Sequence, residues 1–148
     1  MRIWTERFDA LAGLASFAQM HPAAGAVTSF TGQVRGEPEV HALEITHYPL
    51  LTLPGMQNMA AEAERRWQTS GLLVWHRVGI MGPREPIVFV AAAARHRRAA
   101  FDAVDFVMDH LKAKAFFWKR EQRADGWHWI NPRSEDYDDL ARWRQAHP

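Results

Sequence analysis

The chain has 148 residues and a formal charge of +1, 18 basic residues against 17 acidic, so an anion site must be local, built from particular arginines and helix ends. It contains no cysteine, which excludes a structural disulfide, a thiolate zinc site and a sulfur nucleophile of its own. The length suits one domain over residues 1–148, and the charged N-terminal stretch fits neither a signal peptide nor a membrane span, so the expected location is cytoplasmic, with no membrane partner.

Asp9 caps a first helix in which Leu11, Leu14, Ala15 and Ala18 recur at i, i+3, i+4 and i+7, and His21-Pro22 stops it. Residues 25–35 read as a strand with Ala26, Thr28, Phe30, Gly32 and Val34 on one face, and residues 40–48, after the turn GEPE, are expected to pair with it as a hairpin. Pro54 opens a second helix running through Met59, Ala63 and Trp67 to Gly71. Two apolar runs follow, LLVWHRVGI and PIVFVAAAA. The second does not alternate, which marks a central strand covered on both faces.

From Arg97 to about Lys114 the periodicity predicts a helix with Phe101, Val104, Met108 and Leu111 as its core stripe and Arg98, Asp102, Asp105 and Asp109 facing water. At this spacing Lys112 lies about 20° from Phe101, at the edge of the stripe, where partial desolvation is expected. FFWKRE and WHWIN form a last hairpin around Ala124-Asp125-Gly126. Ser134 is expected to cap a closing helix whose first turns hold Glu135, Asp136, Asp138 and Asp139, the sign the helix dipole prefers. The order of elements gives an α+β domain with a mainly antiparallel sheet.

Three lysines, Lys112, Lys114 and Lys119, stand together in LKAKAFFWKRE, and every other cation of the 18 is arginine. A lysine amine gives up its proton when desolvated or set beside other cations and then serves as nucleophile or base, which a guanidinium does not do. Chance retention on a solvated helix end is the competing explanation. Trp118, directly before Lys119, is placed to shield that amine from water. The turn Arg95-His96-Arg97-Arg98 sets three arginines and a histidine at a helix N-terminus, a local anion site for phosphate or carboxylate. Arg35 ends another strand just after Gly32. The spacing of the eight histidines gives no metal motif, and no phosphate-binding or dinucleotide glycine pattern is present, so neither metal nor cofactor is expected.

Taken in order, GAVTSFTGQVR, LEITHY, WHRVGIMGP, IVFVAAAARHRRAAF, MDHLKAKAFFWKRE and DGWHWI resemble the large, catalytic subunit of molybdopterin synthase over roughly residues 25–133. The resemblance implies an α/β-hammerhead-type fold. It also implies conversion of cyclic pyranopterin monophosphate to molybdopterin, with sulfur delivered as a thiocarboxylate on the C-terminal Gly-Gly tail of a small ubiquitin-like subunit. The missing cysteine fits, because sulfur need never be bound to this chain. Family large subunits are similar in forming a homodimer at the centre of a heterotetramer, and the generous apolar and aromatic content agrees with one.

Matched motif by motif, Lys112 and Lys119 take the positions of the catalytic lysines. Gln33, Val34 and Arg35 match the substrate-binding end of a strand, His96 and Arg97 the phosphate and pterin contact, and Arg120 and Glu121 complete WKRE. Arg133 is a further candidate anion contact, and Lys114 has no counterpart. Arg35, His96 and Arg97 are expected to converge on one anion site, and Lys112 and Lys119 to share a pocket that excludes Lys114. Three features depart from the family: a shorter loop from Arg35 to Val40, Phe116 in place of a proline, and Pro54-Gly55 where a regular helix generally continues, so that helix is expected to start late. The alternatives are a non-catalytic module that docks a ubiquitin-like partner, and a surface for single-stranded nucleic acid. Near-neutral charge opposes the second, so no nucleic-acid partner is expected.

Overall fold

The structure is a computed structural model and describes residues 1–114 and 116–144. Its strands are β1 (Arg2–Trp4), β2 (Ala26–Gln33), β3 (Ala42–His47), β4 (Gly71–Arg77), β5 (Gly79–Met81), β6 (Pro86–Ala94), β7 (Phe117–Arg123) and β8 (Gly126–Ile130). The helices are α1 (Ala10–Met20), α2 (Pro49–Trp67), α3 (Arg97–Ala113) and α4 (Ser134–Ala141), with a 3₁₀ turn at Arg142–Arg144. Two four-stranded sheets result: sheet A in the order β1-β4-β6-β2 and sheet B in the order β5-β3-β7-β8. Only β1 and β4 pair in parallel, so the α+β, mainly antiparallel expectation holds.

The non-alternating run is the centre of sheet A, as its composition requires: β6 is buried from Val88 to Ala94. One face packs Val88, Val90 and Ala92 against Met56, Met59 and Ala63 of α2 and Ala103, Val107 and Leu111 of α3. The other packs Phe89, Ala91 and Ala93 against Phe8 and Phe17. A third cluster, Val34, Leu43, Ile45, Val78 and Met81, lines the inner face of sheet B. No described helix is long and apolar enough to cross a membrane.

The hairpin expected between the second and third strands does not form. β2 pairs with β6 in sheet A, while β3 pairs with β5 and β7 in sheet B. The strands part because Leu43 and Ile45 belong to the third cluster, whereas β2 lies along the apolar β6. Three helix details also differ. In α1 the Asp9 cap is present, accepting the Ala12 N–H at 3.0 Å, but the buried residues are Gly13 and Phe17, and Leu11 is exposed. The period is right and the face is turned. In α3 the buried set is Ala100, Ala103, Val104, Phe106, Val107 and Leu111, and Phe101 is 52% exposed. α4 is capped by Arg133 rather than Ser134: the Asp136 carboxylate accepts the Arg133 backbone N–H at 2.8 Å.

The helix expected from Pro54 starts earlier, at Pro49, whose missing N–H costs nothing in a first turn. Pro54 sits inside it, and Leu50, whose carbonyl thereby loses a helical partner, is exposed so that water can take that bond. Gly55 explains why the segment is built this way. A Cβ there would collide with the Phe116 ring, and the Thr52 hydroxyl donates to the Phe116 carbonyl at 2.6 Å. Two of the departures that the resemblance implies, Pro54-Gly55 and Phe116, thus meet in one feature: a large ring seated on a helix that lacks a side chain at the point of contact.

Candidate functional site

Phe116 leads directly into β7, which carries the third lysine. In β7 the partners across the sheet are Ile45 for Lys119, Glu44 for Arg120 and Leu43 for Glu121, so Lys119 and Glu121 share the face that carries the third apolar cluster. Between this face, the end of α3 and the start of α4 lies a cleft of about 590 Å³, within the usual size for a small-molecule site. Lys112, Lys119, Gln33, Val34, Arg35 and Glu121 all line it.

The two lysines differ in setting. Lys119 is largely buried, and its amine is lowered to about 8, first by burial, then by the positive charge of Lys112, against a raising contribution from Asp136. Lys112 is exposed, because it lies on the same side of α3 as the exposed Phe101. The desolvated lysine is thus Lys119, and the partial desolvation expected of Lys112 is not found. Two of the cleft's carboxylates are paired with arginines: Glu37 with Arg35 at 3.4 Å and Glu121 with Arg123 at 2.8 Å. Trp118 lines the cleft but is 40% exposed.

Three expected placements need correction. Lys114 also lines the cleft, because α3 ends at Ala113 and Lys114 takes an extended backbone (φ −80°, ψ 145°), so helical rotation no longer turns it away. Arg120 points to the opposite face of sheet B, where it donates to Glu44 at 2.8 Å and stacks over Trp127 at 4.5 Å. His96 and Arg97 do not reach the cleft of their own chain. Ala26 pairs with Ala94 at one end of β2 and Gln33 with Pro86 at the other, so the His96 turn and Arg35 lie at opposite ends of the strand, roughly 23 Å apart at the usual rise per residue.

Two residues at the site escaped sequence reasoning. His76 is buried, with its ring stacked on Phe117 (centroids 3.7 Å, planes 9° apart) and its Nδ1–H donating to the Arg77 carbonyl at 2.9 Å. Burial, then the charge on Lys119, lowers it to about 3, so it is neutral and adds no positive charge beneath the lysines. A histidine inside LLVWHRVGI was the available signal. From the sequence Asp136 is a helix-dipole acid only, yet it lines the cleft. Among the described residues no cluster of three metal-ligating side chains occurs.

A mixed α/β fold with a lysine cleft between one face of an antiparallel sheet and the ends of two helices defines the class, and comparison with known proteins gives the family. The chain belongs to the MoaE protein family, whose model matches residues 3–114. It is 42% identical over 149 residues to a molybdopterin synthase catalytic subunit of Mesorhizobium japonicum, with 99% of this chain and 94% of the relative covered. Among solved structures it resembles the molybdopterin biosynthesis MoaE protein from Burkholderia ambifaria (TM-score 0.82, 44% identity, 97% and 96% of the two chains). The fold is shared more distantly with a chain in the complex of subunits 1 and 2 of molybdopterin-converting factor from Helicobacter pylori (TM-score 0.78, 18% identity, 90% and 91%).

Proposed function

We propose that the chain is the catalytic subunit of a cytoplasmic molybdopterin synthase, which moves sulfur from the C-terminal thiocarboxylate of a small ubiquitin-like subunit onto cyclic pyranopterin monophosphate. The observation that carries this reading is the Lys119 amine, held at about 8 inside a cleft it shares with Lys112. Such an amine is neutral in a useful fraction near neutral pH, and serves as nucleophile or as acid and base, while the exposed Lys112 orients the anionic tail or moves protons. Gln33, Val34 and Arg35, with Glu121, form the wall that would hold the precursor. A Gly-Gly tail brings no side chains into the cleft.

The place of His96 and Arg97 supports a homodimer. β2 is an edge strand with Val27 and Phe30 exposed and Phe101 of α3 exposed nearby. An unpaired apolar edge favours pairing with a second copy. Two β2 strands antiparallel about a twofold axis would bring Arg35 of one copy to the Gly25 end of the other, and Gly25 packs against the Arg95 carbonyl beside His96. Each anion site would then join Arg35 of one chain to His96 and Arg97 of a second. Arg97→Ala should weaken precursor binding by about 1.5–3 kcal/mol. Mixed dimers of Arg97→Ala and Lys119→Arg should recover activity that neither variant shows alone. A concentration-independent monomer mass, or no recovery on mixing, contradicts the shared site.

Incubating the purified chain with a thiocarboxylated small subunit and the cyclic precursor, then assaying molybdopterin, tests the whole reading. Product that requires all three components is expected, and its absence overturns the assignment.

A further inference from the structure

Asp136 occupies the third position of α4, where its carboxylate accepts the Arg133 backbone N–H at 2.8 Å. The Arg133 guanidinium approaches only to 3.4 Å and is 70% exposed, while the Asp136 side chain is 11% exposed. A buried carboxylate facing a cleft, with its nearest cation shared with water, keeps most of its negative potential. The groups around Lys119 are distinct in this respect. Lys112 from α3 is a like charge, and neutral His76 from β4 carries none. Glu121 on β7 is bound by two N–H groups of Arg123, and Glu37 after β2 is 46% exposed and paired with Arg35. Asp136 lines the same cleft as Lys119 without a direct ion pair to it among the described residues, and is the carboxylate that favours its ammonium form.

We infer that Asp136 is a positioning residue for Lys119: anchored by the first turn of α4 in the wall of the same cleft, its carboxylate draws the ammonium toward that wall and favours keeping its proton. α4 thereby has a function beyond closing the fold. The inference rests on the proposed reaction only in making Lys119 the amine that matters, because the shared cleft is a property of the folded chain.

With only three lysines, isotope-labelled lysine gives three side-chain amine signals, each assigned by its Lys→Arg variant. Asp136→Asn removes the charge but keeps an oxygen to accept the Arg133 N–H, so α4 stays capped. The Lys119 titration midpoint should fall by about one pH unit, at the low end of the range for a neighbouring opposite charge, and Lys114 should not move. Asp136→Glu should restore the midpoint toward the wild-type value. An unchanged Lys119 midpoint in Asp136→Asn, or an equal shift of Lys114, overturns the inference. Should Asp136→Asn lose its fold by circular dichroism, Arg133→Ala carries the test with opposite sign. It removes the cation and leaves both carboxylate and backbone cap, so the Lys119 midpoint must rise, and one that stays or falls is contrary. Sulfur transfer that survives Lys119→Arg would defeat the reactive amine without touching this titration, so the two failures are separable.

Discussion

Sheet A and sheet B treat their middle strands differently. In β6 every residue from Val88 to Ala94 is buried between helices, whereas in β7 not one residue from Phe117 to Arg123 reaches full burial. The first arrangement maximises apolar area removed from water and leaves no room for chemistry. The second holds an amine deep enough for burial to lower it to about 8, yet not so deep that its charged form is forbidden. One sheet fixes the backbone, and the other presents a half-desolvated lysine on it.

The sharpest way to break that division is to change Lys119 itself. Lys119→Arg keeps the positive charge but cannot supply a neutral amine, so sulfur transfer should fall by about 100-fold or more while the protein still folds, as a molybdopterin assay with parallel thermal melts would show. Comparable loss of stability would mean that β7 is scaffold after all. Lys119→Met should instead raise stability near neutral pH. A lysine whose folded value lies below its unfolded one binds fewer protons when folded between about pH 8 and the ordinary lysine value, so stability rises with pH across that window. Below it the buried cation is a cost that methionine removes, and melting curves at pH 7 and pH 10 should converge in the variant.

The opposite experiment probes sheet A. Phe106 is fully buried among α2 and α3 side chains and packs edge-on against Trp67, centroids 5.1 Å apart. Phe106→Ala should cost about 3–5 kcal/mol, read by denaturant unfolding, while the fraction that remains folded keeps the Lys119 titration of the parent. Gly55→Ala lies between the two. The new methyl must displace the Phe116 ring, at a cost of about 1–3 kcal/mol, and because that ring leads into β7, activity should fall severalfold along with stability. Smallest is Lys114→Arg. Although Lys114 lines the cleft, it is exposed at the end of α3, and activity within about twofold of the parent is expected.

How much of this was legible depends on how local each signal is. The apolar run of β6, the bounds of α3 and the turn at Gly126, with φ of +118°, follow from patterns within one segment. The pairing of β2 with β6 does not, because its apolar partner lies more than fifty residues away and a nearer β-rich segment competes for it. Phe101 read as core because its spacing fits the stripe, but it faces the open side of α3 beside the edge strand β2. The lysines were visible from their isolation among arginines. Which of them is desolvated was not, since that depends on how α3, β7 and α4 meet. The roles of His76 and Asp136 were hidden for the same reason: one owes its place to a stack between the two sheets, the other to the turn that starts α4.

The central claim is that a neutral Lys119 amine reacts. Single-turnover sulfur transfer from the thiocarboxylated small subunit, measured between pH 6.5 and pH 9.5 by the assay's own time course, tests it most directly. The account predicts a rate that climbs with pH through about 8 and then levels, with that rise absent in Lys119→Arg. A rate independent of pH across this range, or the same rise in Lys119→Arg, would contradict it.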